Sequence, residues 1–392
     1  MPSLFNTVAQ ILAAGEDLVP WIEERAFQYS MYRFALPARV LNYGDMRGWN
    51  TRKVSLTYAP GMAAAGSENT ALTETSLVRK RLATIAPSEW GHVYYISDRR
   101  LATDPEDPAA EIVKNLGYSL GLKREQLLYN ALLASTGPNT SVAGAYTLGA
   151  AVNVASVFRA NAIEDQLFHV IHTYQFLDIM TELIDLSKPA VTEFRNRFLQ
   201  SWDFGGFDGL NIAVSNLVPR NVTHKLNFTG STTGNFQLWV NGYATGNIAY
   251  SATAATLVSN INTALDAIAD GLDWSATASG TNINDIEITY PSTLYVMHPE
   301  ELRLNRDTDG DDVADAGVTV SILERSAIAR APIWSRSAVV HDRREPIRVN
   351  LDTLYQGRTL EVGGYETYGV GAWRQDYGGY IQTDATAPNA VT

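Results

Sequence analysis

At 392 residues the chain is long enough for a sizeable core and for two or three domains, and 45% hydrophobic against 18% charged residues is a globular balance. It contains no cysteine, which excludes disulfide scaffolds, thiolate metal sites and cysteine nucleophiles. A formal charge of −12 argues against a high-affinity nucleic-acid coat, because phosphate binding needs clustered Lys and Arg that release counterions.

Met1 to Ala14 has neither a cationic start nor a long apolar run, and no stretch reaches the roughly 18 apolar residues of a membrane span. A soluble compartment is expected, so the glycan-acceptor patterns at Asn139, Asn221 and Asn227 carry no meaning. The chain then writes a long hairpin. Arg52–Tyr58 alternates Val54, Leu56 and Tyr58 with Lys53, Ser55 and Thr57, while the return strand from Ser76 to Ile85 sets Arg79, Lys80 and Arg81 side by side. Neither face is cleanly apolar, and the tip Pro60–Asn69 is rich in Gly, Ala and Ser. A two-stranded hairpin is marginal in water, so this one is expected to lean on a partner subunit through Arg79, Lys80 and Arg81.

A single long helix follows, predicted over Asp107–Ser135. Asp107 can cap it, Pro108 suits its first turn, and Ile112, Leu116, Leu120, Leu127 and Ala131 recur at helical spacing. Some 27 residues make a rod of about 40 Å. Gly117 and Gly121 weaken it by on the order of 1 kcal/mol each.

Two similar phrases, Val170–Met180 and Tyr295–Asn305, each read as an apolar strand leading into a helix start, with Pro299 placed for a first helical turn. His169 and His172 lie three apart but no third ligand completes a metal set, so both are read as structural. Between the phrases, Lys225–Tyr290 loses charge and gains Thr, Ser, Asn, Ala and Gly. It reads as an inserted module: strands at Asn235–Asn241 and Asn247–Tyr250, a helix at Ala252–Ile268 with Leu257, Ile261, Leu265 and Ile268 on one stripe, then strands near Trp274–Ala278 and Asp285–Tyr290. After it, Asn305, Asp307, Asp309, Gly310 and Asp315 follow the alternating oxygen-ligand pattern of a calcium loop. Ala316 stands where the bidentate Glu would be, and the ordinary alternative is a solvated acidic loop. The chain closes on an aromatic, glycine-punctuated strand series from Leu360 to Pro388.

No Walker loop, GxSxG or HExxH occurs, so no catalytic residue is assigned and no enzyme is expected. The hairpin, the long helix, the run Gly206–Pro219 and the closing Thr367–Ala385 together resemble the major capsid proteins of tailed bacteriophages, of the Hong Kong 97-type fold. The module resembles small domains inserted into phage structural proteins. The resemblance implies an α+β fold with an N-terminal arm (1–47), an E-loop hairpin (48–98), peripheral and axial domains built around a spine helix (99–224 and 291–392), and the inserted α+β module (225–290). It implies a structural protein of the virion, made in the bacterial host's cytoplasm, that assembles with itself into hexamers and pentamers of an icosahedral shell around double-stranded DNA. A portal, a separate scaffolding protein and a decoration or cement protein are the implied partners, with only weak contact to DNA and none to a membrane. No cofactor is required, calcium being the one candidate. Lys53 and Lys80 lie in strands rather than at the tip, so covalent crosslinking through the hairpin is not expected. The concentrated cations, Arg79 to Arg81 and Arg343-Arg344, are expected to serve protein contacts rather than phosphate. The alternative is a secreted, calcium-dependent carbohydrate-binding or carbohydrate-active protein, suggested by the aromatics and the Asp-rich loop.

Overall fold

The computed structural model describes residues 40–44, 52–58, 78–97, 108–142, 144–161, 163, 165–184, 206–207, 210–229, 233–240, 243–269, 276–292, 302–305, 318–354 and 359–388. In chain order its elements are β1 (Leu41–Gly44), β2 (Arg52–Tyr58), β3 (Val78–Ile85), β4 (Ser88–Ser97), α1 (Pro108–Leu133), β5 (Thr140–Ser141), α2 (Leu148–Ala160), β6 (Leu167–His172) and α3 (Thr173–Ile184). Then come β7 (Gly206–Phe207), β8 (Leu210–Ser215), β9 (Arg220–Asn227), β10 (Asn235–Val240), β11 (Tyr243–Ala244), β12 (Ile248–Ala249), α4 (Ala254–Ala269), β13 (Thr277–Asn282) and β14 (Asp285–Thr289). The series ends with β15 (Leu302–Asn305), β16 (Ser321–Ser335), β17 (Val339–Leu354), β18 (Thr359–Ala372) and β19 (Gly378–Asp384). The chain divides into two compact units, the first of Met1–Pro138, Phe158–Phe168 and Pro332–Gly379, the second of Asn139–Val157, His169–Ala331 and Tyr380–Thr392.

In the first unit a four-stranded sheet runs in the order β1-β17-β18-β4, and α1 packs on β18, β4 and β17. The helix forms where its periodicity predicts it, but the buried stripe is Leu116, Leu120, Leu128 and Leu132, each at most 3% exposed, with Leu127 and Ala131 only partly covered. Glu125 lies on that buried stripe at 2% exposure. The two-stranded sheet β2–β3 is the predicted hairpin, with Arg79 opposite Thr57, Lys80 opposite Leu56 and Arg81 opposite Ser55. Two boundaries move. Leu41–Gly44, counted with an N-terminal arm, pairs in parallel with β17. Ser88–Ser97, counted with the hairpin, is instead the strand β4, antiparallel to β18.

In the second unit a nine-stranded sheet runs β13-β14-β9-β16-β6-β8-β7, with β19 pairing β16 and β5. Every residue of β6, LFHVIH, is buried, as expected of a central strand covered on both faces. The predicted module is present element by element, and Leu257 and Ile261 of α4 are fully buried in its core. Its limits at 225 and 290 do not hold. β9 crosses residue 225 and pairs β16 on one side and β14 on the other, so β13 and β14 extend the larger sheet. Downstream, Leu302 and Val318 join the module's core and β15 pairs with β10. Leu302–Asn305 is therefore a strand, which contradicts the helix start assigned at Pro299; Pro299 itself lies outside the described residues.

Candidate assembly surface

The hairpin is held at its base. Ile85, the last residue of β3, is 1% exposed and packs with Val340, Leu41 and Trp373. It fits because β18 has glycine beneath it: a Cβ at Gly369 would stand 2.6 Å from Ile85 Cγ2 and 3.1 Å from the Pro87 backbone, and one at Gly371 would stand 3.0 Å from Ile85 Cγ1. Overpacking of this kind costs about 1–3 kcal/mol, and here the obstacle is partly backbone. Gly369→Val should therefore lower the thermal midpoint of the first unit by several degrees and raise the rate of proteolytic cleavage within residues 52–85. An unchanged digestion pattern would mean that the hairpin is not anchored through Ile85.

Beneath the sheet lies a buried ionic cluster. β18 alternates Leu360, Val362, Gly364, Glu366 and Tyr368 toward α1, so the one acid in that series sits in the core with its side chain 0% exposed. Arg124 of α1 donates from Nη2 to Glu366 Oε2 at 2.6 Å, and Arg343 Nε of β17 approaches Oε1 at 2.9 Å, an ion-pair contact outside hydrogen-bonding angles. Beside it Arg344 donates from Nε to Asp342 Oδ2 at 2.8 Å. Arg343 and Arg344 thus both pair with acids of their own chain. His341 Nδ1 lies 3.0 Å from Asn42 Oδ1, tying β17 to β1, and its pKa falls to about 3 because burial and then Arg124 and Arg343 oppose a charged ring. Tyr368 is pushed above its ordinary range, chiefly by burial and then by Glu366.

A second polar hub sits in the other unit. Arg220 donates to Glu324 Oε1 at 2.8 Å and to the Ala385 carbonyl at 3.0 Å, with its guanidinium 5.0 Å from the Tyr174 ring centre. Burial, then Arg220, lowers the pKa of His172 to about 3 and of His224 to about 4. His169 and His172 belong to β6 rather than to one face of a helix. The Tyr146 hydroxyl hydrogen-bonds His169 Nε2 at 2.5 Å, and His172 Nδ1 accepts from the Tyr174 amide at 3.1 Å. Both histidines therefore have structural partners. Among the described residues no group of three His, Asp or Glu could hold a metal. Asn305 ends β15, while Asp307, Asp309, Gly310 and Asp315 lie outside the described residues, as do the side chains of Arg79, Lys80 and Arg81.

A concavity of about 340 Å³ between β4 and α1 is lined by Trp90, His92, Tyr118, Ser119, Leu120 and Lys123, and Lys123 Nζ stands 4.8 Å over Trp90. Sequence reasoning passed over Glu366, Arg124 and Arg220. For Glu366 a signal existed, since it is the lone charge on the core-facing positions of an otherwise apolar strand. No described helix is long and apolar enough to cross a membrane.

No family model matches the sequence, and no curated protein matches it. Solved structures do match in fold. The capsid of Ralstonia phage GP4 is similar over 93% of this chain and 92% of its own, with 12% identity and a TM-score of 0.50. The acid-stable capsid structure of Helicobacter pylori bacteriophage KHP30 is similar over 88% of each chain, with 13% identity and a TM-score of 0.50. With the long α1, the two-stranded hairpin β2–β3 and the sheets β1-β17-β18-β4 and β13-β14-β9-β16-β6-β8-β7, the chain has the α+β fold of tailed-phage capsid proteins, the Hong Kong 97 type.

Proposed function

We propose that this chain is a major capsid protein that assembles with itself into the icosahedral shell of a tailed phage. The observation that carries the reading is the fold match to two phage capsids along about nine-tenths of the chain. Physical features support it. The hairpin β2–β3 carries Arg52, Lys53, Arg79, Lys80 and Arg81 and no acid within its strands, a composition that needs an outside partner. Among the described residues the buried ion pairs Arg124–Glu366 and Arg220–Glu324 pin separate elements together, which supports a structural role. Engagement of Arg343 and Arg344 by Glu366 and Asp342 leaves fewer cations for phosphate and supports weak contact with packaged DNA. Hexamers and pentamers, a scaffolding protein, a portal and a decoration or cement protein belong to this proposal, as does synthesis in the bacterial cytoplasm. Calcium held by Asn305, Asp307, Asp309 and Asp315 remains a proposal of the same kind.

The test is imaging of the purified, recombinant chain, alone and co-expressed with the neighbouring structural proteins of its genome. Shells, tubes or ring-shaped capsomers in negative stain are the expected result. A chain that stays monomeric in both settings would overturn the reading.

A further inference from the structure

β4 ends the first unit's sheet, and among the described residues no strand lies beyond it. It is 10 residues long, and every second one turns its N–H and C=O away from β18. Natural sheets shorten such an edge, line it with cations or cover it. Here it is long, its sequence SEWGHVYYIS holds no Lys or Arg, and Tyr95 is 61% exposed, more than any other large apolar side chain described.

Register sorts the side chains of β4 between two faces. Trp90, His92 and Tyr94 stand opposite Glu366, Gly364 and Val362 of β18 and so turn toward α1, while Glu89, Val93 and Tyr95 turn the other way. Trp90 and His92 then meet Tyr118, Leu122, Lys123 and Gln126 of α1 around the concavity of about 340 Å³. Positions 118, 122 and 126 recur every four residues, so one flank of the helix overhangs the strand. No residue of β17 or β18 lines this space, which places it at the margin of the sheet. Its one cation is Lys123, whose Nζ lies 4.8 Å over the Trp90 ring and has no acid beside it among the described residues. The nearest acid in sequence on β4, Glu89, is on the other face and pairs with Arg348.

We propose that β4 and this flank of α1 form a docking groove for an extended, acidic segment of a different polypeptide, which adds to the sheet as a fifth strand and sets a carboxylate on Lys123. Such a strand lies about 4.8 Å beyond β4, where its alternate side chains enter the concavity. Main-chain hydrogen bonds to the open edge supply affinity, and the pocket beside it reads the side chains. The carboxylate completes the Lys123 ammonium, the aromatic walls of Trp90 and Tyr118 take an apolar neighbour, and Tyr95 is covered from the opposite face. A second copy of this chain offers no match among the described residues. β1 at the far end of the same sheet, β7, β11, β12 and β13 at the ends of others, and both strands of the β2–β3 hairpin carry no acid. The proposal does not depend on the capsid reading and leaves it untouched.

The test pans a displayed library of random peptides against the purified chain, kept dilute. Enriched peptides should alternate β-branched residues and carry Asp or Glu at one groove-facing position. A synthetic copy of the strongest should bind in fluorescence anisotropy and slow hydrogen exchange at the amides of Ser88–Ile96. Lys123→Glu should weaken it by roughly tenfold or more, since like charges then meet in the groove, whereas Lys123→Arg should keep it. Circular dichroism checks that both variants fold as the wild type does. A library that yields no binder, binders without an acid, or binding indifferent to Lys123→Glu would each overturn the proposal. So would exchange protection of β4 that appears on concentrating the chain alone, because the occupant would then be a second copy.

Discussion

Glu366→Ala should lower the stability of the first unit by about 3–5 kcal/mol, because it leaves two guanidiniums facing a site from which water has been displaced. The carboxylate is fully buried between Arg124 Nη2 at 2.6 Å and Arg343 Nε at 2.9 Å. Arg124 is itself only 18% exposed, so its charge cannot swing fully into solvent once the partner is gone. For a unit of about 200 residues the loss corresponds to a fall of roughly 10 °C in its thermal midpoint. Glu366→Gln keeps an oxygen for Arg124 and should cost about half as much, the remainder reflecting charge rather than the hydrogen bond. Calorimetry of the purified chain reads both variants, and the second unit's transition should not move. A shift below about 2 °C for the alanine variant would mean that the cluster contributes little net stability, as buried ion pairs sometimes do.

The elements legible in the sequence were those whose period leaves one solution. β6 is a mostly apolar, wholly buried run that leads into α3 where the turn of periodicity lies, and α4 shows one stripe through Leu257, Ile261 and Leu265. α1 was legible as a helix but not in its face. Leu127-Leu128 and Leu132-Leu133 each offer two adjacent choices, and an acid, Glu125, occupies the buried stripe, so tertiary packing had to decide. β15 was misread because Pro299, Glu300 and Glu301 compose a plausible first helical turn, whereas pairing with β10 outweighs that local preference. Which acids share one side of the β17–β18–β4 sheet could not be read from spacing. Glu89, Glu345, Asp352 and Glu361 come from three strands, and a register irregularity between Arg343 and Arg348 breaks the simple alternation that would have assigned Glu345.

Stability should fall steeply on acidification from pH 7 to pH 5, and more in the second unit than in the first. The folded-state pKa is about 3 for His341, about 3 for His172 and about 4 for His224, each lowered first by burial. An unfolded histidine titrates near 6.5, so between that value and the folded pKa the unfolded chain binds the extra proton and the folded chain does not. Stability from these groups is thus fully present above about pH 6.5 and is lost as pH drops toward the folded values. At pH 5, about 1.5 units below the unfolded pKa, each group contributes a loss of roughly 2 kcal/mol. His172 and His224 both belong to the second unit and His341 to the first, so the second should lose about twice as much. Asp178 works in the opposite sense. Burial holds its carboxyl above the usual range, so it takes up a proton in the folded state first and offsets a part of the loss at the acid end. Urea titrations at pH 7, 6 and 5 measure the slope, which should flatten on His224→Gln in the second unit alone. Equal stability at pH 7 and pH 5 would show that these rings can be protonated in the folded chain, and that the Arg220 and Arg124 environments are more open than their geometry indicates.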